Sequence, residues 1–129
     1  MTQEIKEIEI NNVKYVPKNS IKENKLEKDV NGLKYVLIRS KESGVHIGYL
    51  KTEMFTESGK VVVLLNTRRV WYWSGAASIS QLALEGTKNP NDCKITVELA
   101  ENEIVGVIET IPLTSMAFEN LNKVKDWTV

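Results

Sequence analysis

Residues 60–73 read Lys60-Val61-Val62-Val63-Leu64-Leu65-Asn66-Thr67-Arg68-Arg69-Val70-Trp71-Tyr72-Trp73. The β-branched and leucine run 60–65 is the strongest strand signal in the chain. Asn66-Thr67 can turn the chain into a further strand, 68–73, or can lie within one continuous strand. In both cases the turn signals Ser43-Gly44 and Glu57-Ser58-Gly59 predict antiparallel strands with short connections.

Two further strands are predicted before this segment. Residues 33–39 form a nearly continuous apolar run, which is typical of a central strand that is covered on both faces. Residues 45–55 form the next strand, and Gly48 within it indicates a bulge or a close backbone approach.

After Gly75 the sequence predicts both helices and strands. Ser78 and Gln81 form a capping box, and Gly86 stands where a C-terminal cap belongs, which predicts a short helix. Residues 93–99 and 103–111 are predicted strands. Thr114 caps a last helix, whose apolar stripe consists of Ala117, Leu121 and Val124. Trp127 follows in the tail, and its large apolar ring needs other side chains to cover it.

These elements predict an α+β fold, a single domain dominated by an antiparallel β-sheet with two short helices. Residues 1–17 are predicted to form an N-terminal β-hairpin around Asn11-Asn12. Residues 18–31 are a polar linker or a short helix, and residues 32–129 form the main domain. A chain of 129 residues can bury one such core.

Charge and composition exclude several classes of function. Lys and Arg number 17, and Asp and Glu also number 17, whereas a binder of bulk duplex DNA usually carries a cationic excess. No apolar run suggests a secretion signal or a membrane span, and Cys93 is the one cysteine. We therefore expect a soluble, cytoplasmic protein that does not bind membranes.

The sequence contains few of the residue combinations that catalysis requires. His46 is the one histidine, and no nucleophile-elbow, metal-ligand or glycine-rich phosphate motif accompanies it. The sequence therefore predicts a protein that is not an enzyme and that needs no metal or other cofactor.

The segment 68–78 instead carries binding chemistry. In an extended strand Arg69, Trp71 and Trp73 share one face, where a guanidinium beside two indoles can pair a phosphate and stack a base. The following helix N-terminus favours an anion. The candidate ligand-binding residues are Arg68, Arg69, Trp71, Trp73, Ser78, Gln81 and Asn91. Two alternatives stay open: the indoles can pack under the helix, or the segment can contact a protein, because Trp, Tyr and Arg are enriched at binding hot spots.

The chain resembles a small family of uncharacterised tailed-phage and prophage proteins. The resemblance is carried by Asn12–Pro17, Gly32–Arg39, Ser43–Gly48, Asn66–Ala83, Lys88–Lys94 and Ile108–Pro112. It implies a phage origin and a small non-enzymatic effector that counters host defence in the infected cell. Such an effector would sequester a nucleotide signal or bind a host protein complex. From the residues we expect a homo-oligomer that captures a nucleotide-like anionic ligand. An interaction module for a host or phage protein is the alternative, and binding of single-stranded nucleic acid is a weaker one.

Overall fold

The computed structural model describes residues 32–129. The predicted hairpin at 1–17 and the segment 18–31 lie outside the described residues. The elements follow one another along the chain as strand β1 (Tyr35–Ser40), β2 (Gly44–Thr56), β3 (Gly59–Tyr72), helix α1 (Ile79–Glu85), β4 (Lys94–Ile95), β5 (Leu99–Pro112) and helix α2 (Ser115–Asn122). A 3-10 turn, Pro90–Asp92, precedes β4.

The five strands form one antiparallel sheet in the order β2-β1-β5-β3-β4. Strand β2 also pairs with β3, so β1, β2, β3 and β5 form a closed ring to which β4 is added. The predicted α+β fold, dominated by an antiparallel sheet with two helices, is confirmed.

Strand β3 is one continuous strand, which resolves the choice that Asn66-Thr67 left open. Asn66 has φ 48°, so the backbone takes a left-handed step there without reversing direction. One edge of β3 pairs with β2 from Gly59 to Val70. The other edge pairs with β5 as far as Thr67 and then with β4 at Val70 and Tyr72.

Strand β1 separates two hydrophobic cores, because its first four residues are all buried. Val36 and Ile38 face one core, to which all four strands of the ring contribute side chains. Tyr35 and Leu37 face the other core, which lies between the sheet and the helices. Burial raises the pKa of Tyr35 to about 12 against the opposing hydrogen bond from Asn122.

Gly48 marks the close approach that the sequence predicts. A Cβ atom there would lie 2.8 Å from the Cβ of Thr67 and 3.1 Å from the carbonyl oxygen of Leu65. The register between β2 and β3 shifts between Ile47 and Tyr49, so a bulge accompanies the glycine.

The predicted strand 93–99 is wrong in length. Between Cys93 and Glu98 the strand comprises Lys94–Ile95 alone, and Val97 and Leu99 are exposed although they continue the apolar alternation. The carbonyl groups of this segment have other partners: Ile95 O accepts from the amide of Trp127, and Thr96 O accepts from Arg68. Strand β5 begins at Leu99, earlier than the predicted residue 103.

Both helices begin at the predicted caps. The Ser78 hydroxyl accepts from the amide of Gln81, and the Thr114 hydroxyl accepts from the amide of Ala117. The predicted stripe of α2 is buried against the sheet and consists of Ala117, Leu121 and Val124. Within residues 32–129, neither helix has the length or the apolar run needed to cross a membrane.

Candidate binding surface

Arg68 is buried, with 4% of its surface exposed, and each nitrogen of its guanidinium donates a hydrogen bond. Nε donates to Thr96 O at 2.8 Å, and the terminal nitrogens donate to the carbonyl groups of Ile95, Leu121 and Val124. One nitrogen also lies 2.9 Å from Asp126 Oδ1. Arg68 is therefore removed from the candidate ligand-binding residues, because its guanidinium is buried and all three nitrogens donate to acceptors within the protein.

Arg69 points to the opposite side of β3 and is exposed. Its backbone pairs with Thr96, and across the ladder it stands opposite His46. Within residues 32–129 no hydrogen bond or ion pair engages its guanidinium. Its positive charge is a secondary cause, after burial, of the low pKa of His46. Arg69 thus keeps the freedom to pair with an anion.

Trp71 stands on the surface with 59% of its area exposed, and its ring stacks on that of Trp127. The two ring centroids are 5.2 Å apart with 22° between the planes. Lys94 Nζ lies 5.2 Å from each centroid, so one ammonium group contacts both indoles. Two aromatic planes and a cation are therefore presented together to solvent.

Tyr72 extends this surface, with 51% of its area exposed and Lys94 as its cross-strand partner. We use the name aromatic surface for Arg69, Trp71, Tyr72, Lys94 and Trp127 together. Three parts of the chain carry these side chains: β3 carries Arg69, Trp71 and Tyr72, β4 carries Lys94, and the tail after α2 carries Trp127.

Trp73 does not join the aromatic surface. It is half-buried and packs against the core beneath the helices, as the packing alternative for the indoles proposed. The predicted shared face of Arg69, Trp71 and Trp73 fails because β3 ends at Tyr72 and its register to β4 shifts between Val70 and Tyr72.

Ser78 and Gln81 are occupied by the helix that they begin. Ser78 caps α1, and the Gln81 side chain accepts from the Ala77 amide at 2.8 Å and donates to Glu85 at 3.2 Å. Because both side chains are already hydrogen-bonded at the start of a seven-residue helix, we do not retain them as phosphate ligands.

Asn91 lies apart from the other six predicted residues. It lines a shallow cavity of about 460 Å³ between the 3-10 turn and α2, together with Pro90, Met116, Glu119, Asn120, Lys123, Val124 and Lys125. The seven predicted residues therefore do not form one continuous site. Arg69 and Trp71 remain in the site, and Tyr72, Lys94 and Trp127 are additions.

The small residues between Trp73 and α1 serve the fold. Gly75 has φ 83°, and a Cβ atom there would lie 2.5 Å from the amide nitrogen of Asn89. The Thr87 hydroxyl donates to Ser74 O and accepts from Asn89 N, which fastens the loop. Gly75 therefore allows two loop segments to touch, and this accounts for the glycine without a ligand.

His46 is a buried structural residue. Its Nε2 lies 3.0 Å from both the hydroxyl and the carbonyl oxygen of Ser43. Burial first, and then the charge of Arg69, lower the pKa of His46 to about 4, so the imidazole is neutral at pH 7. In the described part of the chain no group of three or more His, Cys, Asp or Glu side chains could hold a metal ion.

Sequence reasoning missed the role of Trp127 and Lys94. The sequence did signal that Trp127 needs cover, and two indoles that lack core positions are candidates to cover one another. The pairing joins residues 56 positions apart, and no local pattern predicts such a contact.

Residues 33–121 match the sequence model of a family described as a domain of unknown function, DUF6948. The chain belongs to this family. The match includes Arg69, Trp71 and Lys94 and ends before the tail that carries Trp127. No curated protein and no solved structure significantly matches this DUF6948 chain.

Proposed function

We propose that this DUF6948 protein is a non-enzymatic binding protein that captures a nucleotide-like anion on the aromatic surface. The observation that carries the proposal is the exposed stack of Trp71 and Trp127 with Lys94 Nζ 5.2 Å from both rings. A nucleotide has a planar base and an anionic phosphate. An exposed indole can stack on the base, and a neighbouring cation can pair with the phosphate.

Each part of the ligand has a matching group. The base stacks on an exposed indole, a contact worth about 1–3 kcal/mol for one base. Arg69 pairs with the phosphate through its planar fork of donors, and Lys94 adds positive charge beside the rings. No bond is made or broken, and no metal or cofactor takes part.

The proposed setting is a bacteriophage-encoded protein in the cytoplasm of the infected host. There it sequesters a nucleotide signal of host defence, and it acts as a homo-oligomer. This setting is supported by the resemblance to tailed-phage and prophage proteins, and a native mass measurement tests the oligomer.

A protein partner is the second candidate function. It is favoured by the exposure of three aromatic rings, Trp71, Tyr72 and Trp127, beside Arg69. Trp, Tyr and Arg are the residue types that most often dominate the energetics of protein interfaces. In this case the surface docks on a host or phage protein and no nucleotide is needed.

Binding of ADP-ribose, a cyclic dinucleotide and a short single-stranded oligonucleotide tests the proposal, with tryptophan fluorescence and thermal shift as readouts. We expect one probe to quench the fluorescence and raise the melting temperature. Arg69→Ala should weaken its binding by about 1.5–3 kcal/mol, the value of a charged hydrogen bond, and Trp71→Ala by about 1–3 kcal/mol.

Matched controls are available on the same chain. Arg39→Ala removes an exposed arginine that pairs with Glu109, and Phe55→Ala removes an aromatic ring that is 79% exposed on the β2–β3 hairpin. Both variants should bind like the wild type. Absence of binding by all three probes, or unchanged binding by folded Arg69→Ala, contradicts nucleotide capture. Recovery of one stoichiometric protein partner that Trp71→Ala loses would favour the second candidate.

A further inference from the structure

Arg68 links the aromatic surface to the C-terminal tail, residues 123–129. We infer that Arg68 is a positioning residue of this surface: it holds the tail against β4 and thereby places Trp127 on Trp71. The inference rests on the proposed function where it concerns ligand affinity, and on the geometry alone where it concerns the tail.

The contacts of Arg68 reach both sides of the junction. On the sheet side it donates to the carbonyl groups of Ile95 and Thr96. On the other side it donates to Leu121 O at 3.1 Å, at the end of α2, and to Val124 O at 2.9 Å. The guanidinium therefore joins β4 to the end of α2 and to the first residues of the tail.

Asp126 sets the register of the tail. Its carboxylate lies 2.9 Å from an Arg68 nitrogen, and its backbone forms a parallel bridge with Ile95. The next residue donates its amide to Ile95 O at 2.9 Å. Because consecutive Cα atoms are about 3.8 Å apart, fixing Asp126 also fixes where Trp127 begins. The indole then lies over Trp71.

Only an arginine supplies this arrangement. Its planar group holds three nitrogens in a rigid fork, and here these nitrogens contact five acceptors. A lysine offers three donors at one point and cannot reach β4 and the tail at once. The adjacent Arg69, on the opposite side of β3, has no such role.

The test is Asp126→Ala in the full chain, because half of the Asp126 side chain is exposed and its loss leaves the core intact. We expect hydrogen exchange at the Trp127 amide to become about tenfold faster, the factor that matches one lost charge-assisted hydrogen bond. The coupled circular dichroism of the stacked indoles should fall, and the affinity for the nucleotide probe should fall with it.

Glu109→Ala is the matched control, since it breaks the surface ion pair with Arg39 at 3.0 Å without touching the tail. It should leave Trp127 exchange unchanged. Asp126→Glu keeps the carboxylate and should restore part of the protection. Arg68→Lys should release the tail further. If that variant fails to fold, the comparison of Asp126→Ala with Asp126→Glu still tests the inference.

The inference is overturned if folded Asp126→Ala shows unchanged hydrogen exchange at the Trp127 amide. It is also overturned if the coupled circular dichroism signal of the two indoles stays unchanged in this variant. Failure of the proposed function looks different, because then no nucleotide probe binds the wild type while Asp126→Ala still accelerates Trp127 exchange. If the probe binds the wild type and Asp126→Ala loosens the tail without weakening that binding, the positioning role for the ligand is wrong.

Discussion

At the scale of single residues, neighbouring side chains of one type have opposite roles. Arg68 faces the helices together with Val70 and is buried, whereas Arg69 faces the other side of β3 and is exposed. A buried guanidinium must be fully hydrogen-bonded, because an unpaired charge in the interior costs several kcal/mol. The carbonyl groups around Arg68 meet that requirement, which makes it a structural residue.

His46 gives a residue-scale prediction for pH. Its pKa is about 4 in the folded protein and about 6.5 in the unfolded chain, so between these values only the unfolded state binds the proton. The free energy of unfolding should therefore fall as the pH drops below about 6.5 and level off near pH 4. The total loss from this group is about 3 kcal/mol.

Urea unfolding at a series of pH values measures this loss, and His46→Gln should remove it. Since His46 is the one histidine of the chain, its NMR titration is directly readable. A midpoint near 6.5 in the folded protein would rule out the expected behaviour. Arg69→Ala should raise the midpoint, because it removes the second cause of the low pKa.

At the scale of elements, local signals describe the helix starts well. Thr114 illustrates this, because its hydroxyl accepts from the Ala117 amide at 3.1 Å and also donates to Leu84 O at 2.7 Å. The same residue therefore begins α2 and ties it to the end of α1. The first contact follows from the sequence, whereas the second requires the packed helices.

Thr114→Val should destabilise the protein by about 1–2 kcal/mol, because it removes the cap and leaves a carbonyl group without its partner. Thr114→Ser keeps the hydroxyl and should lose less than half of that amount. The midpoint of urea unfolding measures both variants. Equal stability of the valine and serine variants would show that the hydroxyl contributes nothing.

At the scale of the whole molecule, β1 is the wall between the two cores. Leu37 and Ile38 are adjacent in sequence and fully buried, yet they belong to different cores. The closed ring explains this arrangement, because a strand of the ring has one face inside and one face under the helices. Both cores therefore depend on the four consecutive buried residues 35–38 of β1.

Leu37→Ala and Ile38→Ala should each lower the free energy of unfolding by about 2–5 kcal/mol, the usual cost of a large cavity. Arg39→Ala, the next residue and an exposed one, should change it by less than about 1 kcal/mol. Denaturant unfolding of the three variants is the measurement. A marked difference between the first two would show that only one core supports the fold.

The sequence predicted the elements better than it predicted the site. Alternation and caps indicated the sheet, both helices and the double burial of β1, because these depend on residues within one turn or one strand. The strand 93–99 was too long because Arg68 and Trp127 take carbonyl groups that a ladder would use. Such competition comes from outside the segment.

What the sequence by itself determined is the set of strands and helix starts, together with the unusual chemistry of residues 68–73. Only the tertiary structure decided which arginine is buried, that Trp73 enters the core, and that Trp127 meets Trp71. The physical reason is range. Periodicity and capping act between residues a few positions apart, whereas burial and stacking depend on how distant segments pack.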